Sequence, residues 1–385
     1  MEKDQAIKFM QDLLRAMVGR KGSDLFITAG FPPAIKVDGQ VSAVTEKALT
    51  GEQAGILVRA VMNDRQTKEF DATKECQFAI NPPGIGRFRV SAFVQQGRTG
   101  AVLRTLNTEI PDFDKLGLPP VLKDVVMSKR GIVIFVGATG SGKSTSIASM
   151  IGHRNKNSRD HIITIEDPIE FVHPHINCVV TQREIGVDTE SWDIALKNTL
   201  RQAPDVIFIG EIRDRDAMDY AVAFAETGHL VLSTLHANST NQALDRIINF
   251  FPPERRQQLL MDLSLNIRAF ISQRLIRRQG GKGRIPAAEV MINTPYIADL
   301  IFKGDVSGIK EVMAKSGQLG MQTFDQSLFQ LFEQGLISYE DAIRNADSQN
   351  ELRLRVKLES KREKRSLEEG IEDLSIIDPG RGQKF

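Results

Sequence analysis

The sequence has few cysteines and no long apolar run, and each shortage excludes a class of protein. Cys76 and Cys178 are the only cysteines, and they lie far apart. Disulfide frameworks and zinc ribbons need closely spaced cysteines, so neither is expected, and a reducing cytosol suits the chain. No apolar stretch approaches the roughly 20 residues of a membrane span. The first 20 residues are amphipathic and carry acids, which argues against a signal or transit peptide, so we expect any membrane role to be peripheral.

The sequence also lacks an excess of charge of one sign. Its 50 basic and 49 acidic side chains leave a formal net charge of +1. Proteins whose main ligand is nucleic acid usually present a basic, aromatic-rich groove, and this chain shows none. We therefore do not expect nucleic acid as a partner. The 385 residues suffice for two domains with separate cores.

Residues 1–106 predict a small α+β domain. Apolar residues at helical spacing indicate a first helix that Gly19 and Gly22 end; they are Ile7, Met10, Leu13, Leu14, Met17 and Val18. Strands are predicted at Leu25–Thr28, Ala34–Val37 and Val41–Val44, with a turn at Asp38-Gly39 and three more strands between Gln77 and Leu106. A second helix is predicted at Gln53–Met62.

The rest of the chain predicts an α/β domain between a linker and a charged end. Residues 107–120 contain three prolines among polar residues and read as a linker. Within residues 121–345, continuous apolar runs indicate parallel strands covered on both faces; they are Ile132–Val136, Ile162–Ile165, Val206–Ile209 and Leu230–Leu235. The pattern after about Asn249 is mostly helical. Residues 346–385 are charge-dense and predict a solvated helix followed by a disordered end.

One glycine-rich segment carries a specific chemistry. Residues 137–144 match G-x-x-x-x-G-K-[ST] at every fixed position, between an apolar strand and a helix. Backbone N–H groups of such a loop cradle phosphates, the lysine contacts the β- and γ-phosphates, and the hydroxyl ligates Mg²⁺. We therefore predict an ATP site with Mg²⁺ bound through Ser144. Its expected loop residues are Gly137, Ala138, Thr139, Gly140, Ser141, Gly142, Lys143, Ser144 and Thr145.

Four further segments narrow the kind of P-loop protein. They are Ile163–Glu170, Val206–Glu211, Thr227–His236, and Gly86–Val90 followed by Arg104. Together they resemble the Asp box, a Walker B in which Gly210 replaces the usual aspartate, the His box and the N-terminal arginines of the secretion and pilus ATPase superfamily. Over nearly all of residues 5–345 the chain is most similar to the PilT/PilU retraction branch. The resemblance implies a RecA-like ATPase domain preceded by a PAS-like α+β domain and followed by C-terminal helices.

Hydrolysis needs carboxylates to orient water and hold Mg²⁺. Glu170 and Glu211 lie in or just after strands that we expect to neighbour the P-loop strand. The resemblance implies that Glu170 orients the water, that Glu211 acts through the metal, partly through water, and that His229 senses the γ-phosphate. A surface salt bridge is the alternative for each acid. His236 is expected to support the end of the strand, and a packed, hydrogen-bonded histidine is the alternative.

Four arginines are candidates for the basic residues of the site. Arg87, Arg89 and Arg104 alternate with apolar residues, so they are expected to share one face of a sheet. In the family such arginines approach the nucleotide when the N-terminal domain closes; Arg246 is a further candidate. An ordinary exposed basic face remains the alternative. His173 and His175 have no third ligand nearby, so zinc is not expected.

The resemblance also implies an assembly and a location. Family members form homo-hexamers in the cytoplasm, peripheral to the bacterial inner membrane, and act on a platform protein of the pilus. A cysteine-rich zinc motif and a longer N-terminal region, typical of extension motors, are missing here. Three departures from the principal retraction motor, Phe26, Tyr296–Lys303 and residues 346–385, resemble the accessory motor that works with a PilT-like sister ATPase. The principal motor and a non-hydrolysing ring subunit remain alternatives.

Overall fold

The computed structural model describes residues 3–37, 39–106, 109–281 and 283–362. The helices are α1 (Lys3–Gly19), α2 (Gly51–Ala60), α3 (Asp64–Thr73), α4 (Phe113–Leu116), α5 (Val121–Val126), α6 (Lys143–Asn157), α7 (Trp192–Thr199), α8 (Arg215–Glu226), α9 (Thr240–Asn249), α10 (Pro253–Asn266), α11 (Pro295–Lys303), α12 (Val306–Lys315), α13 (Phe324–Glu333), α14 (Tyr339–Asn345) and α15 (Gln349–Glu359). Short 3₁₀ helices lie at Leu200–Gln202 and Gly317–Leu319.

The strands are β1 (Asp24–Ile27), β2 (Ala34–Val37), β3 (Gln40–Ala43), β4 (Glu75–Ile80), β5 (Arg87–Gln95), β6 (Arg98–Leu106), β7 (Gly131–Val136), β8 (His161–Glu166), β9 (Val179–Glu184), β10 (Val206–Ile209), β11 (Leu230–Leu235), β12 (Ile267–Arg277) and β13 (Arg284–Ile292). The described residues form two compact units, Met1–Pro111 with Asn155–Gly210, and Asp112–Arg154 with Glu211–Phe385. The mixed α/β class predicted from the sequence is confirmed.

The first unit contains a six-stranded antiparallel sheet in the order β3-β2-β1-β6-β5-β4. Helices α1 and α2 pack on it through one apolar cluster that includes Met10, Leu14 and Leu57. The predicted helix α1 is present and ends at Gly19, but Val18 on its predicted apolar face is 40% exposed. Helix α3 was not predicted, because it buries only Gln66 and Phe70. Its capping box, Asn63 with Gln66, is the signal that would have found it.

The first unit also contains three parallel strands in the order β10-β8-β9. Strands β8 and β10 are buried along almost their whole length, as their apolar runs predicted. Strand β9 was missed because its second half, Thr181 to Glu184, is polar. These polar side chains hold the loop that follows β8, as described below.

In the second unit, β7 lies between β11 and β12, parallel to both, and β13 pairs antiparallel with β12. The prediction that the strands before Glu170 and Glu211 neighbour the P-loop strand was therefore wrong, since both neighbours of β7 are other strands. The mostly helical prediction after Asn249 was also wrong for β12 and β13. Buried on both faces, β12 carries apolar residues at spacings that fit a helix equally well.

Helices α13, α14 and α15 close the second unit over the β12–β13 hairpin. The helix predicted after residue 346 is present as α15, but Leu352 and Val356 are buried, so only part of its surface is solvated. The predicted disordered end falls in residues 363–385, outside the described residues, as do Asp38 of the predicted turn and residues 107–108 of the predicted linker. The domain boundaries at 106, 120 and 345 stay predictions. Across the described residues, no helix combines the length and apolarity needed to cross a membrane.

Candidate functional site

The glycine-rich loop joins the buried strand β7 to the first residue of α6, so the N-terminal N–H groups of a 15-residue helix point at the loop. Two of its glycines are required by close contacts. A Cβ at Gly137 would lie 2.5 Å from Ser141 Oγ and 2.7 Å from the Gln273 carbonyl oxygen. A Cβ at Gly142 would lie 2.7 Å from Gln273 Nε2, at a φ of 89°. The loop is thus held to one shape by β12.

Lys143 is buried beneath this loop. Its Nζ donates to the carbonyl oxygens of Gly137, at 2.7 Å, and Ala138, at 3.0 Å. Ser141 lies beside it, and its buried Oγ has no hydrogen-bond partner among the described residues. A buried hydroxyl without a partner costs free energy, so an acceptor at this point would be favoured.

Gln273, which the sequence did not single out, fastens the loop from β12. Its Nε2 donates to the Ser141 carbonyl oxygen at 2.9 Å, and its Oε1 accepts from Ser146 Oγ at 2.8 Å. The loop borders a cavity of about 290 Å³, which is also lined by Asn238, Arg274, Leu275 and Arg284. A cavity of this kind, next to a phosphate-binding loop and two arginines, suits an anionic ligand.

Glu211 and His236 meet in the second unit. The Glu211 carboxylate lies 2.8 Å from Arg213 Nε and 3.3 Å from His236 Nε2. Arg246 donates to the His236 carbonyl oxygen at 2.9 Å. Because β11 is parallel to β7 and pairs Leu235 with Val136, His236 leaves β11 at the end where the P-loop leaves β7. Glu211, His236 and Arg246 are thus brought together at the P-loop end of the second unit's strands.

His229 lies at the opposite end of β11. Its carbonyl oxygen accepts from the Gly131 N–H, at the start of β7, and its ring Nδ1 lies 3.0 Å from the Phe224 carbonyl oxygen. The length of β11, at about 3.3 Å per residue, places it roughly 20 Å from the P-loop. Within a single chain, this distance gives no support to the predicted role of His229 as the sensor of the γ-phosphate. His236 is the His-box residue at the P-loop end.

The Asp-box residues belong to the first unit. Glu170 is exposed, on a loop that follows β8. Glu166, at the end of β8, is buried, and burial raises the pKa of its carboxyl to about 7. Hydrogen bonds from Thr164, Gln182 and the Glu170 backbone oppose this shift only in part. Gly210 stands where an aspartate is usual, and a Cβ there would make a tight contact of 3.2 Å with the Ile165 carbonyl oxygen.

The three N-terminal arginines share a sheet face, as predicted, but differ in their partners. Arg89 lies directly opposite Arg104 in the β5–β6 pair. Arg104 pairs with Asp24, Nε to Oδ1 at 2.8 Å, and remains 67% exposed. Arg87 forms an ion pair with the buried Glu184 of β9. Among the described residues Arg89 makes no ion pair, so it is the arginine of the three that is left for another ligand.

His173 and His175 differ in what their rings contact: His173 Nδ1 is buried without a hydrogen-bond partner among the described residues, whereas the His175 ring binds the local backbone. The His173 N–H donates to Gln182 Oε1, and burial lowers the pKa of its imidazole to about 4. His175 Nδ1 accepts from the Val180 N–H at 3.0 Å.

Comparison with known proteins agrees with this arrangement. A family model described as "Type II/IV secretion system protein" matches residues 2–344. The type IV pilus ATPase PilU of Pseudomonas aeruginosa is 58% identical, covering 95% of this chain and 96% of its own length. The type IV pilus retraction ATPase PilT of the same organism is 43% identical, over 86% of this chain and 96% of its own length.

A solved structure shows the same fold. The crystal structure of the pilus retraction motor PilT with bound ADP superposes with a TM-score of 0.83 at 39% identity, covering 89% of this chain and 98% of that one. This likeness confirms the RecA-like ATPase fold with its N-terminal domain and C-terminal helices. The chain therefore belongs to the type II/IV secretion system family and, within it, to the type IV pilus ATPases that PilU and PilT represent.

Proposed function

We propose that this chain hydrolyses ATP and that the hydrolysis drives pilus retraction, and hence twitching motility. The observation that carries the proposal is the phosphate loop, shaped by Gln273, with the Glu211–His236 pair at the same end of the second unit's strands. A phosphate cradle needs such a fixed loop, and hydrolysis needs acids and cations near the terminal phosphate.

In the proposed site, ATP phosphates bind to the loop N–H groups of residues 137–145, and the Lys143 ammonium moves from the Gly137 and Ala138 carbonyl oxygens to the β- and γ-phosphates. Mg²⁺ fits the residues present, because the Ser144 hydroxyl and Glu211 carboxylate are the hard oxygen donors that it prefers. When bound, it neutralises charge on the phosphate oxygens. Glu170 orients the attacking water, and His236, rather than His229, follows the state of the γ-phosphate through its contact with Glu211.

The four candidate arginines have different roles in the proposed site. Arg89 is the strongest candidate to reach a nucleotide, since Arg87 and Arg104 have acidic partners within the unit. Arg246 contributes by holding the His236 backbone.

The finer role follows from the relatives. We propose an accessory motor, a cytoplasmic homo-hexamer at the inner face of the inner membrane, acting with a PilT-like sister ATPase on a platform protein of the pilus. The match to PilU covers 95% of this chain and so extends past residue 345, whereas the match to PilT covers 86%. At least part of the extension is thus shared with PilU.

Two substitutions test the hydrolysis. We expect Lys143→Ala and Glu211→Gln to lower the ATP turnover of the purified chain at least 100-fold, because each removes a charge at the phosphates. Lys303→Ala removes an exposed lysine of α11 and should leave turnover unchanged. Turnover at the wild-type rate in both site variants would refute the ATPase assignment.

Pilus retraction in cells tests the finer role. With the sister ATPase present, loss of this chain should weaken retraction, and without the sister this chain alone should not retract pili. Normal retraction without the sister would identify the chain as the principal motor.

A further inference from the structure

The loop that carries Glu170, residues 167–173, is held by side chains of β8 and β9. The Glu166 carboxylate accepts from the Glu170 N–H. Gln182 donates to the Phe171 carbonyl oxygen at 2.8 Å and accepts from the His173 N–H at 2.7 Å. Glu184 Oε2 accepts from the Ile169 N–H at 3.1 Å. We call these residues 167–173 the Asp-box loop.

Glu184 is the member of this set that reaches outside the loop. Its side chain is only 3% exposed, and the same Oε2 that holds the Ile169 N–H also accepts from the Arg87 guanidinium of β5. A buried carboxylate requires a charged partner and hydrogen bonds, and here one oxygen has both. The loop is therefore tied, through one atom, to the antiparallel sheet of the N-terminal region.

We propose that Glu184 is a positioning residue for hydrolysis, and that Arg87 acts through it rather than on the nucleotide. Arg87 fixes the Glu184 carboxylate, Glu184 fixes Ile169, and Ile169 fixes the neighbouring Glu170. The inference rests on the proposed role of Glu170 and adds two residues to it. Gln182 and Glu184 lie outside the motifs that the sequence displays. Both are on the polar half of β9, the strand that the sequence did not predict.

The arrangement also couples two parts of the first unit. A displacement of β5 relative to β9 pulls on the Glu184 carboxylate, because the Arg87 side chain, 15% exposed, is enclosed at this contact. The backbone N–H of Ile169 follows the carboxylate that it binds. A shift of a catalytic group by about 1 Å can cost about 100-fold in rate, so a small displacement suffices to switch hydrolysis.

ATP turnover of the full chain tests the proposal, with kcat and KM measured separately. Glu184→Ala should lower kcat about 100-fold and leave KM for ATP within about threefold, because no nucleotide contact is lost. Glu184→Gln keeps an acceptor for the Ile169 N–H and should retain more activity, which also guards against a variant that fails to fold. Arg183→Gln changes the neighbouring β9 residue, whose side chain donates to the Asp188 carbonyl oxygen outside the loop, and should match wild type.

Arg87 decides between acting through Glu184 and acting on the nucleotide. If Arg87 acts through Glu184, the double variant Arg87→Ala/Glu184→Ala should have the same kcat as Glu184→Ala alone. Multiplying effects, or a raised KM in Arg87→Ala, would instead place Arg87 on the nucleotide and overturn the proposal. The proposal would also be overturned if folded Glu184→Ala had an unchanged kcat and only a lower melting temperature, since Glu184 would then stabilise the fold without positioning Glu170.

The variant Glu170→Gln distinguishes a failure of the positioning role of Glu184 from a failure of the proposed role of Glu170. If Glu170→Gln turns over like wild type, the role of Glu170 itself fails. If Glu170→Gln is inactive and Glu184→Ala is active, only the positioning inference fails.

Discussion

At the scale of single residues, the two histidines that flank β11 are expected to behave differently. His236 contacts the Glu211 carboxylate, whereas His229 binds the Phe224 carbonyl oxygen at the far end of the strand. We expect His236→Ala to lower kcat for ATP about 100-fold, the size of effect seen when one polar group at a reacting charge is removed. His229→Ala should leave kcat within about twofold and cost about 1 kcal/mol of stability for the lost hydrogen bond.

Steady-state turnover and urea denaturation of the two variants check this pair. The reverse result, an inactive His229→Ala and an active His236→Ala, would contradict the assignment of the sensing role to His236. That assignment rests on the pairing of β11 with β7. The sequence alone could not make this distinction, because both histidines bracket the same apolar run. Only the pairing of β11 with β7 shows which end faces the P-loop.

Glu166 makes stability depend on pH. Its folded pKa, about 7, is above the ordinary 4.5, because burial disfavours the charged form. Between these values the unfolded chain has released the proton while the folded chain retains it, so folding binds a proton and stability falls as pH rises. Above pH 7 the loss is complete, at about 3 kcal/mol.

Urea unfolding of wild type and Glu166→Gln at pH 5 and pH 8 measures this dependence. The amide cannot ionise, so the variant should gain about 2 to 3 kcal/mol relative to wild type between the two pH values. A difference between the two proteins that stays constant with pH would show that Glu166 is ionised in the folded chain.

At the scale of elements, the strands after residue 120 that the sequence predicted are the mostly apolar ones, β7, β8, β10 and β11. Strands β7, β8, β10 and β11 are buried on both faces, so their runs are continuous and end at glycine or polar residues. Strand β9 was not predicted because its polar side chains bind a loop instead of packing in an apolar core. Strand β12 escaped because an apolar run has no period that separates strand from helix.

The sequence likewise predicted only those parts of the site that are made of consecutive residues. The P-loop was predictable because its chemistry requires consecutive residues of fixed type, each of which the sequence displays. Gln273 was not, because it fastens the loop from a strand more than a hundred residues away. The acidic partners of Arg87 and Arg104 likewise come from strand pairing, so the sequence showed the shared face of these arginines but not that two of them are engaged.

At the scale of the whole molecule, α15, in the described part of the charged C-terminal region, extends the core of the second unit. Leu352 and Val356 of α15 join the cluster formed by α13, α14 and the β12–β13 hairpin, which includes Ile276, Phe324 and Leu328. Asp347, just before α15, pairs with Arg274 of β12 and Lys310 of α12. The strand that fastens the P-loop through Gln273 is therefore also one wall of the cluster that α15 covers.

Matched leucines of α15 test this arrangement. Leu352→Ala should lower the free energy of unfolding by about 2 to 5 kcal/mol, the cost of losing a buried leucine side chain and leaving a cavity. Leu354→Ala, on the same helix but 58% exposed, should change it by no more than about 0.5 kcal/mol. Urea denaturation gives both values, and ATP turnover at 25 °C should stay near wild type in each, because Gln273 and the loop are untouched. Equal, small effects at the two positions would mean that α15 does not pack on the cluster, and the residues after 345 would then be an appendage rather than part of the fold that supports the P-loop.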